Sequence, residues 1–101
     1  MAIDTEFVRE STFRARLGLV QIAVADEIAL VDVVRIRDLS PLAAIVGAPG
    51  TRKILHSCSE DLPGLRRATG VPLAPLFDTQ IAAAFAGLGS GLSYRALILA
   101  L

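Results

Sequence analysis

The chain has 101 residues, 53% of them hydrophobic and 20% charged, so a single domain with an ordinary core accounts for it and compositional disorder is excluded. Ten basic and ten acidic residues cancel, which removes the field by which a strongly basic domain draws in a polyanion. Any contact with nucleic acid has to be local, and nine of the ten basic residues are Arg, with Arg9, Arg14 and Arg16 forming the one modest cluster suited to phosphates.

One cysteine, Cys58, excludes an intrachain disulfide and a cysteine metal cage. No apolar run approaches the roughly 20 residues that cross a bilayer. Asp4, Glu6 and Arg9 interrupt the amino terminus before a signal-peptide core could form. A soluble, cytoplasmic protein without membrane contact is expected.

In chain order, residues 2–8 place acids at alternate positions among β-branched and aromatic types, which predicts a strand. Residues 17–25 and 28–34 are further β-prone runs separated by Asp26 and Glu27, and they read as a hairpin. Ser40–Pro41 then predicts a helix start, with Leu42, Ile45 and Val46 on one face and a stop at Gly47. Residues 52–57 predict a fourth strand. Ser59 is expected to cap a helix carrying Leu62, Leu65 and Ala68 that ends at Gly70. Pro63 is tolerated in its first turn.

Two prolines in VPLAPLF lead into a short fifth strand, after which Asp78 caps a helix through about Ala86. Beyond the glycine-rich GLGSGLS, Ser93 starts an apolar helix that is still running at Leu101. The order βββ-α-β-α-β-α predicts an α/β fold: an antiparallel three-strand meander plus parallel strands in one mixed sheet flanked by helices.

Side chains two apart on a strand share a face, so Asp4 and Glu6 project together, with their Cα atoms about 7 Å apart. Two carboxylates held so close repel, and a hard divalent cation relieves them. A bare Asp-x-Glu is also what an ordinary solvated strand face looks like. Asp61, in SEDL after the fourth strand, is by itself a common first-turn acid that complements the helix dipole. Topology gives it a second meaning. If the first and fourth strands are parallel neighbours, the carboxyl end of the sheet brings Asp61 towards Asp4 and Glu6.

Taken in series, AIDTEFVRESTFRARLGLVQIA, KILHSCSEDLPGL, FDTQIAAAF and the SYRAL segment resemble the ribonuclease D branch of the DEDD 3′→5′ exonuclease superfamily, in order and spacing, over nearly the whole chain. The resemblance implies a ribonuclease H-like fold, incomplete at its carboxyl end, and hydrolysis of RNA from a free 3′ end to release nucleoside 5′-monophosphates. In such chemistry two ions about 4 Å apart generate hydroxide and stabilise the attacking and leaving oxygens. Asp4 and Glu6 match the first exonuclease motif and Asp61 the second, as catalytic acids and ligands of two Mg²⁺ or Mn²⁺ ions.

The family's third motif, Tyr-x3-Asp, is not in these residues, because Tyr94 is followed four positions later by Ile98. Residues 1–101 are therefore expected to form a partial exonuclease domain, cut at both edges and by itself nearly inactive. Self-association through the surface exposed by the missing part is also expected. Ala15 and Arg16 stand where many relatives have a proline, which alters the loop but no ligand.

Phe7, Arg9, Arg14, Gln21 and His56 are the candidates for contacting the nucleic acid. Phe7 and Gln21 are as readily packing residues, and His56 suits a hydrogen-bonded structural role better than ligation of a hard ion. Asp78 reads as a helix cap and Cys58 as an inert thiol. Two other readings stay open: a DNA-directed proofreading exonuclease using the same acids, and a non-catalytic remnant that binds RNA or a protein.

Overall fold

A computed structural model describes residues 1–9, 13 and 15–101. The elements are β1 (Ala2–Val8), β2 (Arg16–Val24), β3 (Glu27–Asp32), α1 (Ser40–Gly47), β4 (Lys53–Leu55), α2 (Asp61–Thr69), β5 (Leu76–Asp78), α3 (Thr79–Phe85) and α4 (Tyr94–Ala100). The strands form one five-stranded mixed sheet in the order β3-β2-β1-β4-β5, with β1–β2 and β2–β3 antiparallel and β1–β4 and β4–β5 parallel. This is the expected meander joined to parallel strands.

Alternation along β1 sorts its side chains. Ile3 and Thr5 are buried, whereas Asp4 and Glu6 are exposed on the opposite face. The buried face carries the core of Ile3, Leu17, Val20, Ile22 and Leu55, closed by Leu42 and Val46 from α1 and Leu65 from α2. The other face is largely open. Rows across the meander on that face run Ala2–Ala23–Ile28, Asp4–Gln21–Leu30 and Glu6–Leu19–Asp32.

The pairing of β1 with β2 slips between Glu6 and Phe7, where Leu19 and then Leu17 are the partners. Gly18 is the extra residue, and only glycine fits, since a Cβ there would stand 2.8 Å from the Val8 side chain. The bulge therefore bends the sheet beside Glu6. Parallel pairing of β1 to β4 is limited to one register pair, Ala2↔Ile54, with the Ile54 amide donating to the Met1 carbonyl at 2.9 Å. Since β4 ends at Leu55, the rest of β1 runs on without a β4 partner.

Four local expectations are corrected. Ser40 is the first helical residue of α1 rather than its cap; Leu39 precedes the helix, and the Ser40 amide and hydroxyl both donate to the Asp38 carboxylate. Within α1, Leu42 and Val46 are buried but Ile45 is exposed, because the helix rests on its i, i+4 row alone. The fourth strand is only Lys53–Leu55, and α2 begins at Asp61, with Glu60 rather than Ser59 in the cap position. The chain leaves β4 early because Ser57 takes positive φ, and the amides of Ser57 and Cys58 turn to the Asp78 carboxylate instead of a strand ladder. Asp78 and Ser93 cap α3 and α4 through their side chains, and Gly70 ends α2 in the left-handed conformation, all as expected.

Lys53 is completely buried. Its ammonium donates to the carbonyls of Ala48 and Ala74 at 2.5 and 2.6 Å, tying the loops before β4 and β5 to the strand between them. Burial lowers its pKa.

Candidate active site

Asp4 and Glu6 stand on the open face of β1, as their alternation dictates. The Gln21 side-chain amide, directly across the β1–β2 pair, donates to the Asp4 carboxylate at 3.4 Å. Asp61 comes from the first turn of α2, on the helix-covered side, and its carboxylate accepts a hydrogen bond from the Thr5 hydroxyl. Thr5 lies between the two acids but points the other way. Asp61 thus meets β1 along the stretch where β1 has no β4 partner.

Half-burial pushes the Asp61 carboxyl above its ordinary pKa, and the charges of Asp4 and Glu60 push it further, against the opposing effect of the Thr5 hydrogen bond. Asp61 and Asp4 therefore feel each other as like charges. Among the described residues, however, no three His, Cys, Asp or Glu side chains come together as a ready-made metal cage. The arrangement is two acids on the open face of β1 and a third, half-buried, held against the opposite face of the same strand by Thr5. Its donors are all carboxylate oxygens, which suits a hard divalent ion, and a cation between Asp4 and Asp61 would relieve the repulsion that raises the Asp61 pKa.

A groove of about 540 Å³ on the open face is lined by Asp4, Gln21, His56, Thr79 and Tyr94 over an apolar floor that includes Ala23, Ile28 and Ile54. His56 is held at both ring nitrogens, Nδ1 to the Thr79 hydroxyl and Nε2 to the Leu92 carbonyl, each at 2.9 Å. A carbonyl only accepts, so Nε2 carries the proton. Tyr94 packs edge-on against the ring, with centroids 5.6 Å apart. His56 fastens the segment before α4 to the sheet.

Phe7 packs against the core beside α2, where Gly64 leaves room for its ring: a Cβ on Gly64 would stand 2.9 Å from the ring. Arg9 is exposed just past β1. Arg14 lies outside the described residues.

Thr5 and the Asp78 clamp were not anticipated as parts of this region. Besides capping α3 through the amides of Gln80 and Ile81, Asp78 accepts the amides of Ser57 and Cys58. Burial alone would raise its pKa, but hydrogen bonds from the Cys58 amide and thiol, the Ser57 amide and the Gln80 amide outweigh that and hold the carboxyl well below the usual carboxylate range. Burial and the adjacent Asp78 push the Cys58 thiol up to about 11, so it stays protonated and unreactive near neutral pH. The sequence signal for Thr5 was available: its position between two acids on a strand puts it on the opposite face, towards α2.

Comparison with known proteins agrees with this architecture. A family model described as 3′-5′ exonuclease matches residues 1–101. A ribonuclease D from Pseudomonas paraeruginosa is 43% identical over 98 residues, covering 97% of this chain and 26% of that protein; the Escherichia coli ribonuclease D is 47% identical over 87 residues, covering 86% and 23%. The crystal structure of Escherichia coli RNase D, described as an exoribonuclease involved in structured RNA processing, superposes with a TM-score of 0.88 at 42% identity over 96% of this chain and 26% of that one. Brucella melitensis NrnC with bound Mg²⁺ gives a TM-score of 0.76 at 28% identity, over 90% of this chain and 46% of the other. The chain spans about a quarter of the length of the ribonuclease D relatives it matches. From end to end it belongs to the 3′→5′ exonuclease family, with a sequence and a fold that follow the ribonuclease D members.

Proposed function

We propose that this protein is a metal-dependent 3′→5′ exoribonuclease that removes nucleoside 5′-monophosphates from the free 3′ end of structured RNA such as tRNA precursors. The reading places residues 1–101 as the part of the domain that holds the first two exonuclease motifs. One observation carries it: the Asp61 carboxylate accepts a hydrogen bond from Thr5, the residue between Asp4 and Glu6, so the acid of the second motif lies against the strand that bears the first.

Asp4, Glu6 and Asp61 would hold two divalent ions, Mg²⁺ or Mn²⁺, as their all-oxygen donor set favours. Mg²⁺ is supported by the bound ion in the Brucella relative. Bound there, the ions supply a hydroxide nucleophile near neutral pH and stabilise the attacking and leaving oxygens. The chain's own residues do the positioning. Gln21 donates a long hydrogen bond to Asp4, Thr5 holds the Asp61 carboxylate against β1, and the Gly18 bulge lies beside Glu6. Phe7, Arg9, Gln21 and His56 are the proposed nucleic-acid contacts, together with Arg14, which lies outside the described residues. Cytoplasmic RNA is the substrate pool this chemistry fits, and no helix among the described residues is long and apolar enough to cross a membrane.

The test is hydrolysis of RNA with a free or a blocked 3′ end by the full-length protein, in Mg²⁺, Mn²⁺ or EDTA. Asp4→Ala, Glu6→Ala and Asp61→Ala should each lower the rate by about two orders of magnitude or more, since losing a ligand forfeits several kcal/mol of charge stabilisation. The product should be 5′-monophosphates, and blocking the 3′ end should stop the reaction. Full activity in EDTA, or equal cleavage after Asp4→Ala, would overturn the reading, and faster digestion of single-stranded DNA than of RNA would replace RNA as the substrate.

A further inference from the structure

A second depression, of about 530 Å³, lies where β1 exits towards β2 and α2 begins, lined by Phe7, Arg9, Phe13, Pro63, Arg67 and the turn Ser59–Glu60 among others. It flanks both parts of the candidate site: Arg9 is three residues beyond Glu6, and Glu60 immediately precedes Asp61. Its chemistry differs from that of the groove lined by Asp4. The walls combine two guanidinium groups with aromatic and proline surface, and Phe13 is fully exposed.

Arg9 and Arg67 are both exposed, and neither makes an ion pair among the described residues, although Glu60 shares the depression with them. Arg67 lies one helical turn after Pro63, so both sit on the α2 face that looks onto the depression, while neighbouring Arg66 does not line it. Gly64 draws the Phe7 ring against the helix and so shapes the wall from below. Exposed guanidinium groups that match phosphate oxygens, set beside aromatic faces on which any base can stack, are what a sequence-tolerant site for a single nucleic-acid strand requires.

We infer that this depression is the track for the single-stranded RNA upstream of the bond being cut, with Arg67 and Arg9 on backbone phosphates and Phe13 offering a stacking surface. The inference rests on the exonuclease reading for the identity of the strand, and it adds Arg67 and Phe13, which neither motif contains. With a net charge of zero, two guanidinium groups on one wall give the local contact that an overall field does not.

The experiment measures binding of 5′-labelled single-stranded RNA of about ten nucleotides to the full-length protein by fluorescence anisotropy, in EDTA to prevent turnover, across a salt series. Arg67→Ala should weaken binding about tenfold and reduce the slope of log K against log salt by about 0.7, the value for one lost contact to a single strand. Arg66→Ala, one residue away on the same helix with the same change in charge, should leave affinity within about twofold and the slope unchanged. Phe13→Ala should weaken binding with no change in slope, as loss of stacking does.

Equal effects of Arg66→Ala and Arg67→Ala, or none from either, would overturn the track. Circular dichroism of each variant separates loss of binding from loss of fold. The two readings fail separately: an Arg67 effect on binding without metal-dependent hydrolysis refutes the exonuclease reading alone, and hydrolysis with no Arg67 effect refutes the track alone. Tighter binding of DNA than of RNA would place a different strand in it.

Discussion

At Asp61 the opposing effects on one carboxylate make a direct prediction. Its raised pKa means that the folded protein holds the proton more tightly than the unfolded chain, so the group favours folding at acidic pH and this benefit is lost as pH rises through the folded pKa. Without metal, Asp61→Asn should therefore raise the melting temperature at pH 7, since the amide oxygen still accepts from Thr5 and the repulsion with Asp4 is gone. In millimolar Mn²⁺ the order should reverse, because the native carboxylate gains the ion and the variant does not. A variant that gains as much from Mn²⁺ as the parent would remove Asp61 from the ligand set.

Asp78 behaves in the opposite sense. Its depressed pKa contributes stability that is fully present above the unfolded value near 4 and is lost as pH falls through the folded one. Asp78→Ala removes the α3 cap and the acceptor for Ser57 and Cys58, and should cost about 2–3 kcal/mol at pH 7 in urea unfolding. The gap between variant and parent should narrow below about pH 4. Asp78 was legible as a cap from its place before an apolar helix. Its second duty, holding the exit from β4, was not, because it depends on residues twenty positions earlier adopting a turn that no local pattern announces.

Among the elements, what was legible followed periodicity. The alternation in β1 assigned Asp4 and Glu6 to one face, and β1, α3 and α4 lie close to where their patterns and caps put them. Errors gathered where serine offers a cap that the chain does not take. At Ser40 the Asp38 carboxylate captures the hydroxyl first, and at Ser59 the helix begins two residues later. The Gly18 bulge carried a signal, a glycine within an apolar strand, that identifies a bulge once its strand partner is known.

Contact between α2 and β1 depends on Gly64. Gly64→Ala should push on the Phe7 ring and destabilise the fold by about 1–2 kcal/mol, despite alanine's better helix propensity. Gly70→Ala, in open space but at a φ of 76°, should cost about 1 kcal/mol from backbone strain alone. Urea unfolding distinguishes them if RNA binding is followed in parallel, since only the Gly64 change displaces a wall of the proposed track.

On the scale of the whole molecule, the sheet is stitched unevenly. Strands β1 to β3 share long antiparallel ladders, whereas β1 joins β4 at one register pair, and the candidate acids sit on either side of that junction. The single β1–β4 pair makes a slight backbone hinge, beneath a core that spans both sides of it. A cation bridging the two carboxylates would act as a clasp across the hinge. Amide exchange at Ile54, whose hydrogen bond to Met1 is the stitch itself, should then slow on adding Mn²⁺ while exchange within the β2–β3 ladder stays constant. In this fold, a cation held by the acids would also steady the seam of the sheet.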